Sequence, residues 1–379
     1  MRFEFATATR IIFGEGTTAT LPELVRSFGS RPLVVTGAST GRAASLISAL
    51  SAEVLTVPGE PTVDLIREGV RRVKNAACDV VISFGGGSAI DAGKAVAAVA
   101  SNGGEPLDFL EVVGKGRAIA VEPLPFIAVP TTAGTGSEVT RNAVLGSPEH
   151  GVKASLRSPM MLPRVALIDP ELTYALPPAI TASTGLDALT QLIEPYVSSR
   201  ANPMTDALCY EGMTRVANGL RRAYHDGTDI EARRDMSIAS LFGGLALANA
   251  GLGVVHGFAA PLGGGWKAPH GALCAAVLPH GMAANIAALR TRAPQHPALE
   301  RYVTIARLLT GRNDARAEDG IEWVRALCAE LNIPSLGTWG INEADLPNVV
   351  QKAARASSMQ ANPLPLTNDE LLALAKASL

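Results

Sequence analysis

Hydrophobic positions follow two different patterns along this chain, and the change comes near its middle. Up to residue 176, short apolar runs alternate with segments in which apolar residues recur every three or four positions, which predicts alternating strands and helices. Predicted strands cover Ile11–Phe13, Pro32–Gly37, Val54–Val57, Val80–Phe84, Phe126–Pro130 and Val165–Asp169. Phe3 and Phe5 alternate with polar neighbours and predict an additional edge strand. This order of elements is typical of a parallel, doubly wound sheet that binds ligands at the carboxyl ends of its strands.

Long segments of helical periodicity fill the rest of the chain, with few β-branched runs between them. Predicted helices cover Thr184–Ser198, Pro203–Ala223, Ile230–Ala250, Ala272–Leu289, Ala298–Leu309, Glu318–Leu331, Glu343–Ala356 and Thr367–Ala377. We therefore predict a dinucleotide-binding α/β domain at residues 1–176 and an all-α domain at residues 177–379. The most apolar stretch, Leu241–Leu262, contains several glycines together with Asn249 and His256. It therefore predicts a packed core helix rather than a membrane span.

The net charge and the cysteine content argue against several classes of protein. The 33 basic and 35 acidic residues leave a net charge of −2, which argues against binding of nucleic acid through its phosphates. The four cysteines are Cys78, Cys209, Cys274 and Cys328. None forms a C-x-x-C pair, so the sequence predicts neither a disulfide framework nor a thiolate zinc site. No apolar run follows a basic N-terminal region, so we expect no signal peptide and a cytoplasmic location.

A glycine-rich turn joins one predicted buried strand to a helix made of small residues. Gly85, Gly86, Gly87 and Ser88 stand at this junction. Consecutive glycines let backbone N–H groups approach an anion, and the N-terminus of a helix adds a favourable dipole. We interpret the turn, with Asp91 shortly after it, as a phosphate-binding loop. The alternative is a tight turn that binds nothing.

Hydroxyl groups follow the next predicted strand. Thr131, Thr132, Thr135 and Ser137 are candidate contacts for a phosphate or for a nicotinamide carboxamide. Taken alone, this segment could equally be an ordinary polar loop. Two such loops at the carboxyl ends of one sheet favour a dinucleotide, and Lys153 is a further candidate for binding it.

The helical half of the chain contains a group of candidate metal ligands. Asp187 and Gln191 are four residues apart and so share one helix face. His256 and His270 follow in a glycine-rich segment. One carboxylate and two imidazoles suit Zn²⁺ or Fe²⁺. The alternative is that both histidines only form hydrogen bonds, because their spacing is not diagnostic of a metal site.

Five segments, in order along nearly the whole chain, resemble the iron-containing (group III) alcohol dehydrogenase family: GGGSAIDAGKAVA, PTTAGTGSEVT, DPELT, GLDALTQLIEPYVS and VHGFAAPLGGGWKAPHGA. The resemblance implies a dehydroquinate synthase-like fold, with a dinucleotide-binding α/β domain and a helical metal and substrate domain. It implies NAD(P)-dependent hydride transfer between an alcohol and an aldehyde or ketone, in a cleft between the domains. We expect a homodimer that acts on a small molecule.

The resemblance is imperfect at the metal site. The family's usual ligands are an Asp, a His four residues later and two further His. Asp187, His256 and His270 match three of these positions, but Gln191 stands where the second ligand is usually His. Ala260 stands where the family has a His that relays a proton. Gln191 could complete a four-ligand shell through its carboxamide oxygen, or the other three residues could leave a position open.

Three other functions remain open at this stage. Without a metal, His256 or His270 would be the general acid or base, as in maleylacetate reductases, which resemble this fold. A non-redox lyase or cyclase of the dehydroquinate synthase type, which retains NAD, is a second alternative. A relative that binds nucleotide without turning over substrate is the third.

The first predicted strand bears on the choice of cofactor. In the family, an Asp just after this strand typically contacts the adenosine ribose, and here Gly37 takes that place. Gly37 cannot repel a 2′-phosphate, and Ser39, Thr40 and Arg42 are available to receive one. We therefore expect NADP(H) in preference to NAD(H). The alternative is that Gly37 only serves the turn. For the substrate pocket, we expect Phe258, Leu262 and Trp266, with Lys267 beside them.

Overall fold

Six parallel strands form the main sheet in a computed structural model that describes residues 2–150, 152–266 and 268–379. The described residues form eight strands in all: β1 (Arg10–Phe13), β2 (Pro32–Thr36), β3 (Glu53–Thr56), β4 (Val80–Gly85), β5 (Phe126–Pro130), β6 (Asn142–Ser147), β7 (Val152–Arg157) and β8 (Val165–Ile168). The order in the main sheet is β1-β8-β5-β4-β2-β3, while β6 and β7 form a separate antiparallel pair. The predicted parallel α/β fold is confirmed.

Fourteen α-helices accompany these strands in the described residues. They are α1 (Leu21–Arg26), α2 (Ala44–Leu50), α3 (Val63–Asn75), α4 (Gly87–Asn102), α5 (Pro106–Phe109), α6 (Pro178–Val197), α7 (Pro203–His225), α8 (Ile230–Ala250), α9 (Val254–Gly265), α10 (His270–Arg292), α11 (Ala298–Thr310), α12 (Ala317–Glu330), α13 (Leu346–Ala354) and α14 (Asn368–Ala377). All eight helices predicted after Pro177 are present. The four cysteines are unpaired.

Two compact units make up the described chain. The sheet unit comprises Ala6–Thr132 and Gly136–Thr173. The helical unit comprises Tyr174–Leu379, the short segment Ala133–Thr135 and the residues up to Phe5. Thr135, which a single cut at residue 176 assigned to the α/β domain, therefore belongs to the helical unit.

Apolar residues cover both faces of the main sheet, which explains why its strands are continuous hydrophobic runs. Leu33 and Val35 of β2 pack on one face, and Val34 between them packs on the other. Helix α4 packs closely on the first of these faces. A Cβ at Gly93 would lie 2.1 Å from the Ser83 hydroxyl oxygen, so only glycine permits this approach.

Lys94 of α4 is a buried cation, with 1% of its surface exposed. Its Nζ donates hydrogen bonds to the Ser137 carbonyl at 3.0 Å and to the Thr140 hydroxyl at 2.9 Å. Asp91 Oδ1 lies 3.3 Å from the same Nζ, and Asp91 Oδ2 accepts from Val144 N at 2.9 Å. These bonds attach α4 to the segment that runs from the loop after β5 into β6.

Three local predictions differ from the structure. Residues 3–5 do not form a strand. The β6–β7 hairpin was not predicted, because small residues such as Gly146 and Ser155 weaken its alternating pattern. The predicted core helix Leu241–Leu262 is buried but not continuous, because α8 and α9 meet at 99° across Gly251–Gly253. Among the described helices, α10 alone is long and apolar enough to cross a membrane, and 78% of its apolar window is buried in the fold.

Candidate active site

The carboxyl ends of three neighbouring strands lie side by side in the sheet unit. Thr36 at the end of β2 is in register with Phe84 of β4, and Gly85 is in register with Pro130 of β5. The residues that follow these strands therefore meet at one edge, namely Gly37, Gly86, Gly87, Ser88, Thr131 and Thr132. The structure thus brings the two predicted loops together, as the order of strands indicated.

The first two glycines of the turn, Gly85 and Gly86, have different roles. A Cβ at Gly85 would lie 2.7 Å from Ala89 Cβ and 3.3 Å from Gly37 N, so close packing requires glycine there. Gly86 is extended, with φ −74° and ψ −175°, a conformation open to any residue. A Cβ at Gly86 would meet only the Thr132 side chain, at 3.4 Å. Gly86 therefore faces the side where an anion would approach the N–H groups that begin α4.

Gly37 also lies beside free space. No heavy atom would lie within 4 Å of a Cβ at this position, so the turn does not require glycine for steric reasons. Ser39 Oγ accepts a hydrogen bond from Gly41 N at 3.3 Å, and Thr40 is exposed. The exposed Arg42 donates through Nη1 to the Leu172 carbonyl at 3.1 Å.

Other candidate cofactor residues have partners within the protein. Asp91 is bound to Lys94 and β6, as described above, and Ser137 is buried. Lys153 on β7 forms an ion pair with Glu60 at 3.1 Å. In the helical unit, Gly134 beside Thr135 packs against Thr184, where a Cβ would lie 2.6 Å from Thr184 Cβ. A cofactor contact by any of these residues stays a prediction.

Helix α6 supplies three buried polar side chains to the candidate site in the helical unit. Asp187, Gln191 and Glu194 are all buried on this helix. Gln191 Nε2 donates a hydrogen bond to Asp187 Oδ2 at 3.0 Å. Asp187 and Gln191 therefore share one helix face, as predicted. They contact each other there through a hydrogen bond.

Glu194 holds the first turn of α9 in place. Its Oε1 accepts from Val255 N at 2.7 Å, and its Oε2 lies 2.6 Å from His256 Nδ1. The opposite ring nitrogen, His256 Nε2, lies 3.4 Å from Asp187 Oδ1. Glu194 thus orients the imidazole so that Nε2 faces the carboxylate of Asp187. The sequence analysis did not identify Glu194 as a functional residue.

His270 and Cys274 enter the cluster from the first turns of α10. His270 Nε2 lies 3.8 Å from Asp187 Oδ1 and 3.7 Å from Cys274 Sγ. Close packing at Gly271 makes this possible, since a Cβ there would lie 2.3 Å from the Ser183 carbonyl oxygen of α6. Glycine at position 271 therefore allows α10 to begin directly against α6.

Four side chains could hold a metal ion together. One ligand atom each from Asp187, His256, His270 and Cys274 lies within 4.8 Å of all the others. Asp187 Oδ1 is buried and accepts no hydrogen bond from the described residues. A buried carboxylate oxygen that faces two imidazole nitrogens fits a bound cation. Cys274 was missed in the sequence analysis, although it stands one helical turn after His270.

The cluster attracts positive charge even without a metal. Burial alone would raise the pKa of Asp187, but attraction to His270 and His256 outweighs it and the pKa is lowered. Burial alone would lower the pKa of His256, but the neighbouring side chains of Cys274, Glu194 and Asp187 outweigh it and raise the pKa well above its usual value. The neighbouring Cys274 side chain is also the main cause of the raised pKa of His270.

The structure gives little support to a substrate pocket formed by Phe258, Leu262 and Trp266. Phe258 and Leu262 are fully buried in the core of the helical unit, so they are packing residues. Trp266 is partly buried against the same core, and Lys267 lies outside the described residues.

Comparison with known proteins gives one consistent result. The model of the iron-containing alcohol dehydrogenase family matches residues 8–170, and the model of the family's C-terminal domain matches residues 181–379. Alcohol dehydrogenase 4 of Saccharomyces cerevisiae is 37% identical over 317 residues, covering 83% of this chain and 80% of that protein. NAD-dependent methanol dehydrogenase of Bacillus methanolicus is 33% identical over 385 residues, with 97% of each chain covered. A crystal structure of 1,3-propanediol oxidoreductase superimposes with a TM-score of 0.91 at 31% identity, over 100% of both chains.

Proposed function

This chain belongs to the iron-containing alcohol dehydrogenase family, and from that premise we propose how its residues divide the work of the reaction. It is an oxidoreductase that interconverts an alcohol and an aldehyde or ketone with a nicotinamide cofactor. The family assignment does not favour a lyase, a cyclase or a metal-independent reductase. The observation that carries the proposal is the cluster of Asp187, His256, His270 and Cys274, in which all but the partly exposed His270 are buried.

The cluster is the proposed metal centre. A divalent metal bound there would act as a Lewis acid on the substrate oxygen. Glu194 keeps His256 Nδ1 engaged, so that Nε2 is presented to the centre. Gln191 holds Asp187 Oδ2, which leaves Oδ1 directed at the two imidazoles. These two residues thus position ligands and do not have to contact substrate.

The glycine turn after β4 is the proposed site for the cofactor pyrophosphate. Backbone N–H groups at the start of α4 would donate to the phosphate oxygens, and Gly86 leaves the approach open. At the end of β2, Gly37 presents no carboxylate to the ribose. We therefore propose a preference for NADP(H), with Ser39, Thr40 and Arg42 near the 2′-phosphate.

The absence of an imidazole at position 260 bears on which direction of the reaction is faster. Ala260 stands where the family has a relay His, and its side chain cannot carry a proton. Alcohol oxidation must therefore release its proton through water or the cofactor ribose. We propose that carbonyl reduction is faster than alcohol oxidation near neutral pH.

The test is a steady-state assay with a panel of aldehydes and ketones, with NADPH and NADH compared at the nicotinamide absorbance. Consumption of reduced cofactor that depends on a carbonyl substrate would support the proposal. Tight cofactor binding without consumption over the whole panel would contradict it. The homodimer and the cytoplasmic location stay predictions.

A further inference from the structure

We propose that Cys274, as its thiolate, is the fourth protein ligand of this centre in place of Gln191, and that the resulting set selects Zn²⁺ over Fe²⁺. The inference rests on the metal centre proposed above. It concerns which residues complete the shell and which ion they prefer. It replaces the ligand that the family usually has at position 191, where this sequence has Gln in place of His.

Three of the six distances between the ligand atoms are close to the edges of a tetrahedral shell. Zinc bond lengths of roughly 2.0 Å to nitrogen or oxygen and 2.3 Å to sulfur give edges of about 3.3 Å between N and O and about 3.6 Å between N and S. The corresponding distances here are 3.4 Å and 3.8 Å from Asp187 Oδ1 to the two imidazoles, and 3.7 Å from His270 Nε2 to Cys274 Sγ. The other three distances are within 4.8 Å, so a modest contraction of the cluster would bring the four atoms onto one ion.

The amide nitrogen of Gln191 is engaged by Asp187, where it donates to Oδ2. The buried Oε1 accepts no hydrogen bond from the described residues, and it lies on the side of α8, 3.4 Å from where a Cβ of Gly243 would be. Gln191 therefore acts as a positioning residue for Asp187. In this arrangement its amide oxygen need not be a ligand.

A thiolate site was not predicted from the sequence because a C-x-x-C pair is absent. A mixed shell needs no such pair, since one cysteine on the face of His270 is sufficient. The thiol loses its proton to solvent when the metal binds. A soft thiolate favours zinc, whereas a set of carboxylate and imidazole ligands discriminates less between zinc and iron. The buried position of Cys274 also shields the sulfur from solvent.

Cobalt(II) provides a direct spectroscopic test on the full-length protein without substrate. We expect metal-free wild-type protein to bind one Co²⁺ and to show a thiolate-to-cobalt charge-transfer band in the near ultraviolet, with intense visible bands of a tetrahedral ion. Cys274→Ser should lose the charge-transfer band and bind Co²⁺ at least tenfold more weakly. Gln191→Ala should retain the band. Cys328→Ser is the matched control, since Cys328 is a thiol of the helical unit on α12, outside the cluster.

Ion preference is measured by competition. With equal Zn²⁺ and Fe²⁺ under anaerobic conditions, wild-type protein should take up zinc, and Cys274→Ser should reduce the zinc-to-iron ratio at least tenfold. If the Cys274→Ser variant does not fold, the charge-transfer band of the wild-type cobalt protein, and its loss when Zn²⁺ but not equal Fe²⁺ is added, give the same information. Stoichiometric Co²⁺ without a charge-transfer band would overturn the role of Cys274 but leave the metal centre standing. Failure to bind Co²⁺, Zn²⁺ or Fe²⁺ at all would instead refute the metal centre itself.

Discussion

The glycine turn after β4 and the cluster in the helical unit differ in the groups that they present to a ligand. The turn presents backbone groups, and its shape depends on a few glycines at the end of a strand. The cluster presents side chains from three helices, α6, α9 and α10, and depends on how closely those helices approach. Backbone sites therefore tolerate most side-chain changes around them, whereas a side-chain cluster fails when any of its supporting contacts is moved.

The largest effect is expected at the contact that brings α10 against α6. Gly271→Ala would place a Cβ 2.3 Å from the Ser183 carbonyl oxygen, and the backbone must shift to relieve the clash. We expect a loss of about 3 kcal/mol in the free energy of unfolding, with metal content falling at least tenfold. Urea unfolding and elemental analysis measure the two effects. Gly265→Ala at the exposed end of α9, where a Cβ meets nothing within 4 Å, should change neither. Equal behaviour of the two variants would show that the close approach is unimportant.

The next effect concerns the carboxylate that orients His256. Glu194→Gln would put an amide N–H group against either Val255 N, where the hydrogen bond is lost, or His256 Nδ1. In the second case Nδ1 must accept, so the ring proton moves to Nε2 and that nitrogen can no longer bind a metal. Residues that orient a metal ligand typically contribute 10- to 100-fold to affinity, and we expect the Kd for Zn²⁺ to rise by roughly that factor. Isothermal titration calorimetry gives the value. Glu322→Gln, in an exposed ion pair on α12, is the control. Unchanged zinc affinity in the Glu194 variant would refute its positioning role.

A change in the glycine turn should affect cofactor binding and nothing else. Gly86→Val introduces a branched side chain on the side where the phosphate would approach, next to Thr132. We expect cofactor affinity to fall about tenfold, or ~1.4 kcal/mol, with zinc binding unchanged. Gly86→Ala should have a smaller effect, because its single methyl group meets Thr132 only at 3.4 Å. A folded Val variant with wild-type cofactor affinity would exclude this turn from the cofactor site.

The smallest expected change is in the choice between the two cofactors. Gly37→Asp fits sterically, because no atom lies within 4 Å of the new Cβ. Its carboxylate would repel a 2′-phosphate at an exposed position, an interaction of up to ~1 kcal/mol, or about fivefold. The ratio of kcat/KM for NADPH to that for NADH should fall by this factor. Gly37→Asn, which has the same size without the charge, should leave the ratio near its wild-type value. A wild-type enzyme that already strongly prefers NADH would contradict the proposal.

The contrast between a backbone site and a side-chain cluster also explains how much could be predicted from the sequence. Strand ends such as Phe84-Gly85 and Val129-Pro130 have local patterns, and parallel strands align their carboxyl ends, so the two loops were predicted to meet. Helix α9 was predicted only as part of one continuous core helix over Leu241–Leu262, because the apolar pattern runs on through Gly251–Gly253, and Gly257 and Pro261 lower the helix propensity of α9 itself. Its formation depends on packing in the helical unit and on the capping contact from Glu194.

The cluster was only partly predictable for a related reason. Asp187, His256 and His270 were identified from residue type and from the family resemblance. Cys274 was not, because the predicted helix began at Ala272, whereas α10 begins at His270. Only with the earlier start do His270 and Cys274 share one face. The partner of Gln191 was also invisible, because a hydrogen bond within a helix face and a bond to a metal have the same sequence spacing.

The burial of Lys94 has a practical consequence for chemical labelling. Amine-reactive reagents modify accessible lysines, and this ammonium is enclosed by the carbonyls of Ser137 and Asn142 and by Asp91. In the native protein Lys94 should therefore remain unmodified while exposed lysines such as Lys115 react. Acylation of Lys94 requires α4 to separate from the segment after β5. The rate of its appearance in peptide maps would thus report how often the sheet unit opens, without any engineered probe.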